Sequence, residues 1–186
     1  MKYFAGQGHN LGQVSVLPIT SFASLCEMIA EPVRLDLTRA EFDALPRADR
    51  DKAKRVTYLV SAEFNASPCQ RLMEHAVRCN LIFLDIDDAG EARRLLTQRW
   101  PEALGDLGFA VWHTLRSTPE LPRLRVMVNA GGIPPARYVE AARSVAALIG
   151  MSDAPSSVVF HAVQPMFVPT VFADATEPAL VEIAGL

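Results

Sequence analysis

At 186 residues, the chain has the size of one domain, or of two small units sharing a core. Half of its residues are hydrophobic and 21% are charged, which excludes a disordered chain. A formal charge of −3, from 18 basic and 21 acidic residues, excludes a wholesale polycation.

Two stretches lack Asp, Glu, Lys and Arg, residues 3–26 and 154–173. The first is broken by Gly6, Gly8, His9, Asn10 and Gln13, and the second by Pro155, Gln164, Pro165 and Pro169. Neither supplies the continuous apolar core of a signal peptide or a membrane span. The three cysteines, Cys26, Cys69 and Cys79, are odd in number and form no CxxC pair, so they read as packing residues of a reduced, cytoplasmic protein.

In chain order, Ser21 to Ala30 is apolar at helical spacing and stops before Pro32. Thr38 to Leu45 opens with Thr38 and Glu41 in capping-box positions. A charged segment, Arg47 to Arg55, leads into an expected strand, Val56 to Phe64. The strongest strand signal is Asn80 to Asp87, where Leu81, Ile82, Phe83 and Leu84 run unbroken into acidic residues, as suits a strand covered on both faces. Helical spacing returns from Gly90 to Trp100 and is expected to end at Pro101. Phe109 to Thr114 and Leu124 to Asn129 read as strands around a turn holding Pro119 and Pro122. An amphipathic helix follows from Ala136 to Ile149, closed by Gly150. Ser156 to Phe172 reads as short edge strands. The class is α/β or α+β, with one central sheet.

Three features can carry chemistry. In Phe83-Leu84-Asp85-Ile86-Asp87-Asp88, strand alternation turns Asp85 and Asp87 to one side, close enough to chelate one cation. Their charges repel unless a metal, an arginine or water offsets them, and hard oxygen ligands favour Mg²⁺ or Mn²⁺. The plainer reading is a strand end whose acids are solvated or cap the next helix. In Ser117-Thr118-Pro119-Glu120-Leu121-Pro122-Arg123-Leu124-Arg125-Val126, Arg123 and Arg125 face one side of a strand start. Such a pair suits phosphate oxygens or, equally, structural salt bridges. The third feature is Asp153, just past the Gly150 stop, followed by Gln164-Pro165-Met166-Phe167; on its own Asp153 reads as a loop acid.

In this order the three features resemble the archaeo-eukaryotic primase superfamily, the primase-polymerases, and in particular the primase-like domains of phage and plasmid replication proteins. That family carries an apolar strand ending in DxD, a nucleotide-contacting serine–histidine segment that runs on as TPE-x-PR-x-R-V, a third acid after the next helix, and a Gln-Pro-x-aromatic stretch. The matching residues are Asp85 and Asp87, Thr118-Pro119-Glu120 with Pro122-Arg123 and Arg125-Val126, Asp153, and Gln164 to Phe167. The Leu37 to Phe42 lead-in, with Lys52 and Lys54 after it, extends the likeness to roughly residues 35–170. One departure is that the family's serine–histidine pair falls on Arg116 and Ser117; His113 lies four residues earlier, and Arg116 would supply a phosphate contact in place of the missing histidine.

The resemblance implies one primase-polymerase domain over 1–186, with an N-terminal α/β unit over about 1–78, an RRM-like unit with the acidic site over about 79–172, and a tail over 173–186. The sheet is expected to be mixed or antiparallel and flanked by helices. It implies metal-dependent, template-directed nucleotidyl transfer, with Asp85, Asp87 and Asp153 as catalytic and metal-binding residues for Mg²⁺ or Mn²⁺. His113, Arg116, Ser117, Arg123 and Arg125 would contact nucleotide. Lys52, Lys54, Arg55, Arg71 and Arg78 would line a groove for single-stranded DNA, with bases stacked on exposed aromatics. Those cations read equally as a solvated helix face. Partners would be nucleoside triphosphates, single-stranded DNA and a helicase in the same longer protein or separately encoded, since no GxxxxGK[ST] loop occurs here.

Two other functions compete with this one. The unmatched histidine permits a catalytically degenerate module that binds single-stranded nucleic acid or nucleotide. A DxD after an apolar strand also occurs in haloacid-dehalogenase-type phosphatases, but these need a later lysine and none follows Lys54. The charge distribution favours a nucleic-acid role more than the total does. Nine basic against seven acidic residues fall in 34–78, and five against two in 111–143.

Overall fold

The structure is a computed structural model that describes all residues except 9, 55, 152–160, 177–178 and 186. The expected Asp153 and Arg55 therefore lie outside the described residues.

The chain opens with two short strands, β1 (Phe4–Gln7) and β2 (Gln13–Val16), in the segment read only as uncharged. Helix α1 (Phe22–Ala30) starts where Ser21 Oγ accepts the Ser24 N–H at 3.1 Å. After β3 (Val33–Arg34), helix α2 (Arg39–Ala44) carries the expected capping box: Thr38 Oγ1 accepts the Glu41 N–H, and Glu41 accepts the Thr38 N–H. The charged segment forms a third helix, α3 (Arg47–Ala53), which buries no side chain.

The expected strand Val56 to Phe64 is two strands, β4 (Thr57–Val60) and β5 (Ala62–Phe64), on either side of buried Ser61. β4 pairs with β1, whereas β5 pairs with β7 (Ala76–Ile86), so the chain changes sheet at Ser61. The side chain there is satisfied, because Ser61 Oγ donates to the Tyr138 hydroxyl at 2.9 Å. The remaining elements are β6 (Cys69–Gln70), α4 (Ala89–Leu96), α5 (Trp100–Leu104), β8 (Phe109–His113), β9 (Leu124–Ile133), α6 (Tyr138–Leu148), β10 (Met166–Phe167), β11 (Thr170–Val171) and β12 (Leu180–Ala184).

Instead of one central sheet, the described residues form two five-stranded sheets, β10-β4-β1-β2-β6 and β12-β8-β9-β7-β5, and a two-stranded β11-β3. The pairing is antiparallel in both large sheets; among the described residues only β11 and β3 run parallel. The fold is α+β, with antiparallel sheets flanked by helices. The division at residue 78 does not separate the sheets, because β5 joins the second sheet and β10 joins the first. Nor is 173–186 a simple tail, since β12 pairs along β8. The two strands come close where glycines meet: a Cβ on Gly185, whose φ is +72°, would stand 2.5 Å from Gly108 Cα.

Both faces of the second sheet are covered, which explains the unbroken apolar run in β7. Ile82, Leu84 and Ile86 pack with Ala92 and Leu95 of α4, Trp100 and Leu104 of α5 and Tyr138 of α6. Leu81 and Phe83, with Trp112 and Met127, pack on the other face against α1 and Leu59 of the first sheet. An antiparallel sheet with one wet face would alternate apolar and polar residues; this one has no wet face along the run.

With α5, β10 and β11 set aside as insertions, the elements β7, α4, β8, β9, α6 and β12 follow the β-α-β-β-α-β order of the ferredoxin-like split. In detail β12 adds beside β8, and β5 takes the place beside β7. An RRM stacks bases on aromatics of its open sheet face. Here the aromatics on the sheet face that packs against α1, Phe83 and Trp112, are buried.

Pro101, expected to end a helix, instead lies in the first turn of α5. In the first turn its missing N–H leaves no hydrogen bond unmade. Among the described residues no helix is long and apolar enough to cross a membrane.

Candidate functional site

The site is built at the end of β7 where it meets the start of β9. Leu84 and Ile86 point into the core beneath the helices, so the intervening Asp85 and the following Asp87 turn to the opposite side. Asp88 caps α4, its Oδ1 accepting the Glu91 N–H at 2.8 Å. It thus leaves the pair of site acids.

The antiparallel register sets Asp85 directly opposite Arg125 and Ile86 opposite Leu124. Two positions along from Arg125, Arg123 reaches Asp87. Asp85 Oδ1 accepts from Arg125 Nε at 3.2 Å and Nη2 at 2.9 Å, while Arg125 Nη1 donates to the Phe167 carbonyl at 2.9 Å. Asp87 Oδ1 accepts from Arg123 Nη1 at 2.9 Å. The two pairs differ in setting: the Arg125 and Asp85 side chains are 11% and 21% exposed, those of Arg123 and Asp87 35% and 64%. Asp85, Asp87, Arg123 and Arg125 are thus brought together, with the arginines offsetting the mutual repulsion of the carboxylates.

Asp85, Asp87 and Arg125 open onto a cleft of about 250 Å³ whose walls include Lys54, Arg116, Trp112 and residues 164–168. Asp51 links two of these cations, 2.6 Å from Lys54 Nζ and 3.9 Å from Arg116 Nη2. The Lys54 ammonium beside Asp51 holds its carboxyl below the usual range. The Gln164 to Phe167 stretch quoted in the resemblance is therefore a wall of the acidic cleft.

The fit of a cation follows from the donors. Each carboxylate has one oxygen on a guanidinium, and among the described residues its second oxygen has no hydrogen-bond partner. Mg²⁺ is commonly held by one or two carboxylates plus water and substrate phosphate, and two open carboxylate oxygens at a cleft suit that mode. Among the described residues no three His, Cys, Asp or Glu side chains gather. The residues fit a cation shared with phosphate, not one enclosed by protein.

His113 and Ser117 line an adjoining cleft of about 590 Å³, which shares Thr114, Leu115 and Thr170 with the acidic one. His113 Nδ1 lies 2.9 Å from Ser117 Oγ, and Ser117 Oγ also accepts the Arg123 N–H at 3.0 Å. The turn after β8 thus carries His113 back to the side chain at the position where the resemblance misses its histidine. His113 nevertheless faces away from Asp85: it pairs with Leu124, whereas its neighbour Trp112 pairs with Arg125.

The basic groove does not assemble as expected. Lys54 reaches the acidic cleft, while Lys52 is exposed on α3 and paired with Asp49 at 3.2 Å. Arg71 donates to the Leu11 and Val163 carbonyls and lies over the Tyr58 ring at 5.9 Å, which makes it a tie within the first sheet. Arg78 lies 3.6 Å from Glu63, seven residues and about 23 Å from Asp85 along β7. Exposed aromatics are also lacking: among the described Phe, Tyr and Trp residues only Phe167 is half-buried, the others being buried.

Arg39 was not singled out from the sequence. It lies over the Phe172 ring at 4.5 Å, donates to the Ser117 carbonyl at 2.8 Å and lines the larger cleft. Its signal was its place at the first turn of the lead-in helix. The cysteines take no part: Cys26 and Cys79 are buried, and burial pushes both thiols up to about 12.

A similarity to the solved primase-polymerase (PrimPol) AEP domain of cyanophage S-2L covers 100% of this chain and 82% of that one, at 11% identity and a TM-score of 0.42. No curated protein matches the chain. The family model described as the VapE N-terminal domain matches residues 19–181, a span that takes in Asp85, Asp87, both arginines and both clefts. The chain belongs to the VapE N-terminal domain family.

Proposed function

We propose that this domain transfers nucleotides onto a growing strand opposite a single-stranded DNA template, as a primase or primase-polymerase of phage or plasmid replication. The observation that carries the reading is the placing of Asp85 and Asp87 side by side on one small cleft whose far wall is cationic. A bound Mg²⁺ or Mn²⁺ would neutralise triphosphate charge and favour the deprotonated 3′-hydroxyl. Asp85 and Asp87 present their open oxygens at the cleft, and Asp153, outside the described residues, is the proposed third acid. Lys54 and Arg116 face the triphosphate from the opposite wall, and Arg123 turns to it from Asp87. His113 and Ser117 contact the nucleotide from the adjoining cleft. Rate enhancement in such a site comes from positioning and charge neutralisation. Lys52, with Phe167 as a stacking surface, would guide the template along the rim beside α3, and Arg55, outside the described residues, is a further proposed template contact. A helicase encoded elsewhere or in the same longer protein completes the proposed machinery.

A second reading is a module that binds nucleotide or single-stranded nucleic acid without catalysis. It is favoured by the ion pair that already occupies one oxygen of each carboxylate. Family membership leaves the phosphatase alternative without support. Nucleotide incorporation on single-stranded DNA, with Mg²⁺, Mn²⁺ or EDTA, separates the two remaining readings. Cation-dependent product supports transfer, whereas salt-sensitive binding with no product under either metal supports the binding module.

A further inference from the structure

We propose that Arg125 is a positioning residue that fixes Asp85, and that Arg123 is the member of the pair that exchanges its carboxylate for phosphate. The inference rests on the reading above and divides the labour of two arginines that look equivalent in sequence. Arg125 lines the acidic cleft, yet three of its five N–H groups are already bonded to protein: one on Nε and one on Nη2 to Asp85 Oδ1, and one on Nη1 to the Phe167 carbonyl. Through these bonds Arg125, on β9, ties together β7 of the second sheet and β10 of the first, and it stands opposite Trp112 of β8. Turning it toward an anion would leave a mostly buried carboxylate and a backbone carbonyl unpaired, a penalty no exposed pair carries. Arg123 makes one side-chain bond, to a carboxylate that is 64% exposed. Exchange of such a surface pair for a phosphate is nearly free.

By engaging only Oδ1, Arg125 also sets the direction of the remaining oxygen of Asp85. Groups that hydrogen-bond a ligating carboxylate act on metal affinity through its orientation. Simple electrostatics predicts the opposite sign, because removing a neighbouring cation should tighten cation binding. That difference in sign makes the proposal testable.

The test begins with the wild-type chain. Guanidinium Nε–H signals are followed by NMR during addition of Mg²⁺ with a non-hydrolysable deoxynucleoside triphosphate. The Arg123 signal should shift, while that of Arg125 stays in place and exchanges slowly with solvent. Mn²⁺ binding is then measured by electron paramagnetic resonance. Arg125→Gln should raise the Mn²⁺ Kd about tenfold with triphosphate affinity at saturating Mn²⁺ little changed, and Arg123→Gln should do the reverse. Arg125→Lys keeps the charge but cannot span Asp85 and the Phe167 carbonyl, so it should behave like Arg125→Gln. Tighter Mn²⁺ binding by Arg125→Gln, full rescue by Arg125→Lys, or an Arg125 signal that moves as far as that of Arg123 would overturn the proposal alone. If the Arg125 variants do not fold, the wild-type spectra decide. Failure of the wild type to bind either Mn²⁺ or triphosphate would overturn the proposed function and this inference with it.

Discussion

Asp85 and Arg125 stand directly opposite each other on β7 and β9, and two N–H groups of the arginine hold a single oxygen of the carboxylate. The neighbouring Asp87–Arg123 pair has the same chemistry in a wetter place. Burial should therefore separate the two in stability. Asp87→Asn is expected to change the unfolding free energy by less than about 1 kcal/mol, and Asp85→Asn to lower it by about 1.5–3 kcal/mol, the range for hydrogen bonds to charged groups. Urea unfolding with an unchanged m-value reads out both, and equal effects would show that the difference in exposure does not matter.

Helix α2 places Arg39 beside the larger cleft, and its start depends on the Thr38–Glu41 capping box. Thr38→Ala should destabilise the domain by about 1 kcal/mol. Hydrogen bonds from the Thr38 backbone and side chain hold the Glu41 carboxyl below its ordinary value. A carboxylate with a lowered folded-state pKa stabilises above its unfolded-state value, and that contribution disappears as pH falls through the folded-state value. The difference in stability between wild type and Thr38→Ala should therefore be present at neutral pH and shrink below about pH 4, as measured by unfolding across pH.

Cys26 and Cys79 lie in the two halves of the core, and burial has raised both thiols far above neutral pH. At pH 8 an aromatic disulfide reagent should modify neither until the chain unfolds, because the thiolate is the reacting form. Cys69 is half-buried, and burial raises its thiol as well; it should react first, and slowly. Rapid modification of Cys79 in the native protein would contradict the packing around β7.

What could be read from the sequence was set locally. The caps of α1 and α2 are contained in their own residues, and β7 announces itself because both of its faces are buried. Alternation along that strand suffices to put Asp85 and Asp87 on one side. The strands that escaped reading depend on partners outside their own residues: Phe4–Gln7 holds Gly6 and Gln7 and is a strand between β2 and β4, and Leu180–Ala184 pairs along β8. The pairing of each acid with an arginine also escaped, since it follows from a β7–β9 register that no local pattern fixes. The spread of Arg71 and Arg78 away from the acids was hidden for the same reason. The return of His113 to Ser117 is a property of the turn after β8, and the linear alignment of the motif cannot show it.

The central claim is that Asp85 and Asp87 form a cation-dependent nucleotidyl-transfer site, and incorporation of labelled deoxynucleotides on a single-stranded template tests it most directly. Wild type, Asp85→Ala and Asp87→Ala are compared with Mn²⁺ and with Mg²⁺, after circular dichroism has shown the variants folded. The account predicts extension products from the wild type that vanish with EDTA and fall at least about a hundredfold in either variant. Equal incorporation by wild type and Asp85→Ala would contradict it.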